Sequence, residues 1–322
     1  MTPRAANTYS LVADIGGTNT RVALAEGSRL LTDTVRRYRN AEYPGLETVL
    51  RAFIAEENDV DCLGACVALA GPVRAGRGTM TNLDWEIDEA TLARATQAKN
   101  TRLLNDLQAQ AHAIGHLQES SVRTVVTGPD AEPDAAKMVI GVGTGFNIAP
   151  VYETPGGRFV PAAEAGHANL PVRGEDELAL IRHFENAHGF PAVEDMLSGR
   201  GLERVYLWLT SEAGQPVEKL AADIMAGFED GSDAVAREAA AMFVRMLGTV
   251  AGNLSLIHLP FGGIYFAGGV ARAFVPHFEA LGFLNAFRDK GRFAGFMQNF
   301  GVHVIEDDFA ALTGCATYLD AQ

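Results

Sequence analysis

Cysteine is scarce in this chain: three in 322 residues, Cys62, Cys66 and Cys315. They form neither a C-x-x-C pair nor a disulfide framework, which points to a reducing compartment and a cytoplasmic protein. Cys62 and Cys66 lie in or beside an apolar run, where a buried thiol is the ordinary reading. Positive charge is also short, with 26 Lys and Arg against 40 Asp and Glu, a formal net charge of −14. That balance argues against broad binding to nucleic acid or an anionic membrane. It leaves room for a small anion held by backbone amides and Mg2+. No run of 18 apolar residues occurs, the N-terminal MTPRAANTYS contains no apolar h-region, and no low-complexity tract or short repeat is present. The expectation is a chain with neither membrane span nor secretory leader. A Gly-Lys pair is missing, which excludes a Walker A loop, and GVGTGF (141–146) breaks the dinucleotide G-x-G-x-x-G pattern at its last position.

What is there reads as mixed α/β, long for one domain and comfortable for two. Strand-like runs at 9–15, 21–25 and 30–37 precede a helix over 45–57 and an apolar strand over 62–71 closed by Gly-Pro. A short strand near 78–81 and a helix near 88–97 follow, then a strand at 101–104 and a helix to about 117. Strands are expected at 122–127, 137–142, 147–153 and 157–161, mostly helix from 174 to 258, a strand at 262–269, and a last strand (301–305) and helix (308–320). Segments 14–20, 104–106, 141–147 and 266–270 are Gly-rich or polar and each ends a strand. Ligands gather at the carboxyl ends of strands in such sheets, so four such junctions suggest one composite site.

Three of these junctions suit phosphate. DIGGTNTR (14–21) separates two strands with five small or polar residues where a hairpin needs about two. Glycines there let backbone N–H groups approach an anion, and Thr hydroxyls add donors. GVGTGFN (141–147) has the same chemistry, and YFAGGVAR (265–272) runs a strand through Gly268-Gly269 into a helix. At Asn105-Asp106 a strand meets a helix. That pair reads either as an N-cap with a first-turn acid or as a rigidly held carboxylate serving as a general base, and one does not preclude the other. AAEAGHANLP (162–171) sets Glu164 three residues before His167, and VEDMLSGRGL (193–202) supplies Glu194, with Arg200 the nearby cation. Carboxylates and imidazole with little positive charge suit a neutral polyhydroxylated ligand better than a sugar phosphate.

Taken together, DIGGTNTR, MTNLDWEI (80–87), LLNDLQAQA, GVGTGFN, EAGHANLP, EDMLSGRGL, YFAGGVARAF and AFRDKGRF (286–293) follow in order nearly end to end. In that order the chain resembles the ATP-dependent bacterial glucokinases of the hexokinase/actin-like ATPase superfamily. The resemblance implies a two-domain actin-like ATPase (ribonuclease H-like) α/β fold with an interdomain cleft. Its small domain would comprise 1–106 and 307–322, and its large domain 107–306. It implies glucose, ATP and Mg2+ as ligands and often a homodimer. Carried over, Asp106 matches the catalytic base, and Asn105, Glu164, His167 and Glu194, with Asn82 and Asp106 itself, the sugar ligands. Asp14, Gly16, Gly17, Thr18 and Asn19 match the first phosphate loop, Asp14 also being the expected partner of Mg2+. Thr144 and Gly145 match the second loop, and Gly268 and Gly269 the adenosine motif. Asp106 is expected to be ionised at neutral pH without an unusual pKa.

Three positions depart from the family pattern, all on the nucleotide side. Phe146-Asn147 stands where the second loop usually reads Leu-Gly, Phe309 where a proline is common, and no proline follows Gly268-Gly269. Other readings are a kinase using another hexose, an N-acetylhexosamine or polyphosphate, a sugar-binding sensor or repressor on the same fold, and an inactive kinase. With strand one beginning near residue 9, no N-terminal helix-turn-helix is expected, and the zinc-binding cysteine cluster of the ROK branch is absent.

Overall fold

A computed structural model describes residues 8–80 and 83–322, so Asn82 lies outside the described residues. In chain order it opens with β1 (Tyr9–Ile15), β2 (Asn19–Glu26), β3 (Arg29–Arg39), α1 (Leu46–Glu56) and β4 (Cys62–Leu69). Next come β5 (Val73–Arg74), β6 (Arg77–Met80), β7 (Leu83–Asp88), α2 (Glu89–Thr96), β8 (Asn100–Asn105) and α3 (Asp106–Ala113). The middle holds β9 (Val122–Val126), β10 (Lys137–Val142), β11 (Phe146–Thr154), β12 (Gly157–Phe159), α4 (Glu175–His188) and α5 (Val193–Met196). Then follow α6 (Gly199–Glu212), α7 (Ala221–Glu229), α8 (Ala234–His258) and β13 (Ile264–Ala267). The chain ends with α9 (Gly269–Phe274), α10 (Phe283–Arg288), β14 (Val302–Ile305) and α11 (Ala310–Asp320).

These elements gather into two compact units. One holds the residues up to Ser121 together with Pro155–Ala162 and Asp307–Gln322; the other holds Val122–Thr154 and Ala163–Glu306. The first unit therefore reaches past the boundary expected at residue 106. The reason is local: α3 packs on α11, and Arg158 donates to the carbonyls of His112 (2.9 Å) and Ile114 (2.7 Å) at the end of α3. Helix α3 stops at Ala113, four residues short of expectation, as the chain passes through Gly115 at φ 88°. A pair of histidines four apart, His112 and His116, forms no metal site among the described residues; His112 is buried edge-on to Tyr318.

In the first unit a five-stranded sheet runs β3-β2-β1-β4-β8, the hairpins antiparallel and the β1-β4 and β4-β8 pairs parallel. Alternation along β1 sorts its side chains between two cores. Leu11, Ala13 and Ile15 join the core with α1 and α2, and Val12 joins the core with α11. Asp14 continues the Val12 register, at the carboxyl end of the strand. The second unit repeats the plan. Its hairpin β10-β11 is antiparallel, β10, β13 and β14 run parallel, and β9 closes the edge antiparallel. Each unit thus places a hairpin turn, and the ends of two further parallel strands, at one edge of its sheet.

Helix α8 is the centre of the second core. It is long and apolar enough to cross a membrane by length and composition, which qualifies the expectation of no such segment. Its 18-residue apolar window is 67% buried inside the unit, and its side chains, Phe243 and Leu247 among them, face protein. Burial on most sides accounts for a helix with so little polar face.

Candidate active site

In the first unit, the turn between β1 and β2 is held by a residue that no motif singled out. The Gly16 N–H donates to the Asn19 carbonyl (2.9 Å). Buried Asn40, beyond β3, donates from its backbone to the Thr18 carbonyl (2.9 Å) and from its side chain to the Gly16 carbonyl (2.8 Å). Its Oδ1 accepts from the Thr20 hydroxyl (2.8 Å). Only the β2-β3 pairing brings Asn40 there, so nothing local in the sequence announces it. Gly17 and Thr18 form the exposed tip, and Asn19 opens β2.

At the end of β8, Asn105 caps α3. Its Oδ1 accepts from Leu107 (3.0 Å) and Gln108 (3.4 Å), its own N–H donates to Gln108 Oε1 (3.3 Å), and its amide donates to the Gly71 carbonyl (3.1 Å). Its side chain also hydrogen-bonds the Asp106 carboxylate, which favours that group's charged form, so most of its hydrogen-bonding capacity is engaged. Asp106 follows as the first helical residue, accepting from the Leu107 N–H (2.8 Å). Burial, and then the Asp14 carboxylate, push Asp106 up to about 6. This departs from the ordinary pKa expected: the sheet brings a second acid to the same edge. Asp14 is itself raised by burial, opposed by the Arg21 guanidinium at 4.0 Å.

The second unit gathers the remaining residues around the β10-β11 turn. The Gly143 carbonyl accepts from the Gly199 N–H (2.9 Å), at the start of α6, whose N-cap is Ser198. Gly268, at φ 96°, sits where a Cβ would overlap the Val142 carbonyl, so β13 can turn into α9 there only with glycine. A Cβ on Gly145 would likewise overlap Glu194 Oε2, which also accepts from the Phe146 N–H (2.9 Å). Glu194 thus sits directly on the second loop. A single-residue bridge between Asn169 and Ala192, and a bond from the Val193 N–H to the Ala168 carbonyl (2.9 Å), set the Glu164–His167 turn beside it. Glu164 and His167 are 63% and 68% exposed and 4.0 Å apart, both open to a ligand. Thr144 is exposed at its turn. The sequence-derived residues thus form two clusters, one per unit: Asp14, 16–19, Asn105 and Asp106 in the first, and 144–145, Glu164, His167, Glu194 and 268–269 in the second.

A family model described as Glucokinase matches residues 11–322. The chain belongs to the glucokinase family. It is 32% identical over 315 residues to the glucokinase of Saccharophagus degradans, covering 96% of this chain and 98% of that protein. Among solved structures it resembles a glucokinase from an Antarctic psychrotroph (26% identity, TM-score 0.87, 98% and 99% covered). The fold extends to a Balamuthia mandrillaris glucokinase crystallised with glucose (22% identity, TM-score 0.79, 98% and 94% covered). Two of the three departures from the glucokinase pattern have structural accounts. Neither Phe146 nor Asn147 has positive φ, so a glycine is not required where β11 begins. Phe309 donates its N–H to Asp307 Oδ1 (2.7 Å), which a proline cannot do, and its ring lies 6.0 Å from the Arg21 guanidinium. Arg21 in turn donates to the Asp308 carbonyl (2.9 Å), tying β2 to the start of α11.

Proposed function

We propose that this chain transfers the γ-phosphate of ATP to the 6-hydroxyl of glucose, giving glucose 6-phosphate and ADP. The observation that carries the proposal is Asp106: a carboxylate on a capped helix start, at a strand's carboxyl end, raised to about 6. A group titrating just below neutral pH is ionised when the reaction begins and basic enough to take a proton as it proceeds. Asp106 accepts the proton of the 6-hydroxyl as that oxygen bonds to the γ-phosphorus; the bond to the β-phosphate oxygen breaks, and ADP leaves with its electron pair. The proton then passes to solvent. Such a transfer demands alignment and charge neutralisation more than covalent chemistry.

On this reading the first unit supplies the base and one phosphate loop, Gly16–Asn19. The second supplies Thr144 and Gly145, the Gly268-Gly269 turn, and the sugar ligands Glu164, His167 and Glu194. Asn105, a sugar ligand by the family resemblance, caps the helix start that carries Asp106. A Cβ at Gly143 or Gly269 would meet no protein atom within 4 Å, so packing does not demand glycine there, whereas a close-lying nucleotide would. Mg2+ suits the oxygen donors: among the described residues no cluster of three metal-ligating side chains exists, and Asp14 offers one carboxylate beside Asp106. Such a site leaves the ion held mostly by phosphate and water, and it would neutralise polyphosphate charge. Free, buried Cys62, Cys66 and Cys315 support a cytoplasmic location. A homodimer is the assembly read from the family resemblance, and sedimentation velocity tests it.

Sugar-dependent ADP release over a hexose panel, with the native chain beside Asp106→Asn, tests the proposal. Turnover on glucose that falls roughly 10²–10⁴-fold in the variant, with glucose still bound, is the expected result. Glucose binding without turnover on any hexose by the native chain would replace the kinase reading with that of a sugar sensor or a different donor.

A further inference from the structure

Asn147 stands where the family usually has glycine, and its side chain makes three hydrogen bonds. Nδ2 donates to the Ala163 carbonyl (2.6 Å); Oδ1 accepts from the Ala165 N–H (3.0 Å) and from the Ile148 N–H (2.8 Å). The first two bonds fall on the residues immediately before and after Glu164, clamping that residue's backbone from both sides. The preceding residue, Phe146, holds Glu194 through its N–H (2.9 Å). Two consecutive residues at the exit of the second loop therefore hold two acidic residues, Glu194 by its carboxylate and Glu164 by the backbone on either side of it. Glu164 needs such a clamp. Its side chain is 63% exposed, and no capping hydrogen bond from it steadies the turn that follows. A glycine at 147 would supply none of the three bonds.

We infer that Asn147 is a positioning residue for the sugar: it sets the Glu164 segment against the second phosphate loop, a task the family's glycine cannot perform. The inference rests on the reading of Glu164 as a sugar ligand. Asn147 touches neither reactant; it acts through the backbone on either side of Glu164. Loss of the clamp leaves Glu164 present but free to sample other orientations, so it weakens ground-state sugar binding more than the chemical step.

The test is calorimetric titration of glucose into the native chain, Asn147→Gly and Asn147→Asp, with KM for glucose and for ATP measured alongside. Asn147→Asp keeps the acceptor for Ala165 and Ile148 but loses the donor to Ala163. Expected is a roughly tenfold rise in the glucose dissociation constant and KM for the glycine variant, as loss of about 1.4 kcal/mol would give. A smaller rise is expected for aspartate, with kcat and the KM for ATP changing less than twofold in both. Glucose affinity unchanged in both folded variants, or KM rising equally for both substrates, overturns the inference while the kinase reading stands. No binding of glucose by the native chain overturns both. If the glycine variant does not fold, the aspartate variant alone decides, because unchanged affinity in it also overturns the clamp.

Discussion

Asp106 meets two requirements with one shift. Burial and Asp14 push it up to about 6 from 3.8. Between those values the folded chain binds a proton that the unfolded chain has released, so this group's contribution to stability falls as pH rises from about 4 to 6. The penalty is then fully present at neutral pH, where the carboxylate is charged. Asp106→Asn removes the charge while keeping an acceptor for Leu107. Its unfolding midpoint is expected above that of the native chain at pH 7, the two converging below pH 4 in thermal melts. For the native chain kcat/KM should climb with pH through about 6 and level above it. A flat profile from 5 to 8 would assign the proton to another group. Gly145 is a second single-residue case. Gly145→Ala drives a methyl into Glu194 Oε2, so the carboxylate must leave the Phe146 N–H. Glucose KM should rise about tenfold or more, at the cost of roughly 1–3 kcal/mol that a displaced charged acceptor carries. Steady-state kinetics over glucose reads this directly.

At the scale of elements, most boundaries were legible from hydrophobic period and Gly/Pro punctuation. Apolar runs such as CLGACVAL read as buried strands because both faces of β4 are covered, and they are. The end of α3 was not legible, because Arg158, from a distant strand, accepts the role of satisfying its last carbonyls. Nor was the first loop's anchor, since Asn40 reaches it only through strand pairing. The start of α11 is similar. Phe309 looks like a missing proline in one dimension, whereas in three it supplies an N–H to Asp307 and a ring to Arg21. Its φ of −106° also lies far from the value a pyrrolidine ring imposes. Restoring the family residue, Phe309→Pro, should therefore destabilise this chain by about 1–3 kcal/mol, seen as a lower urea midpoint. A midpoint equal to or above the native one would mean that the helix start is not held by these contacts.

Across the whole molecule, the buried clusters divide as the units do: α8 and its neighbours in one, and the two faces of the five-stranded sheet in the other. Phe243, fully buried and stacked on Phe274 at 4.6 Å, belongs to the first of these. Phe243→Ala should cost roughly 3–5 kcal/mol. Amide exchange should quicken in α6, α8 and β13, with β1, β4 and β8 changing least. Uniform quickening along the chain would show the two cores to open as one. The sequence by itself determined the α/β class, the order of loops and acids, and the excluded chemistries, because these depend on residue type, local period and turn composition. Tertiary structure alone decided the pKa of Asp106, the near-full engagement of Asn105, the anchoring of the first loop by Asn40 and the clamp of Asn147 around Glu164. Each depends on a partner 16 or more residues away, except the Asn105 cap, where Oδ1 accepts from its own helix while Nδ2 donates to distant Gly71. Such partners meet only when strands pair in register, and register is a property of the folded sheet.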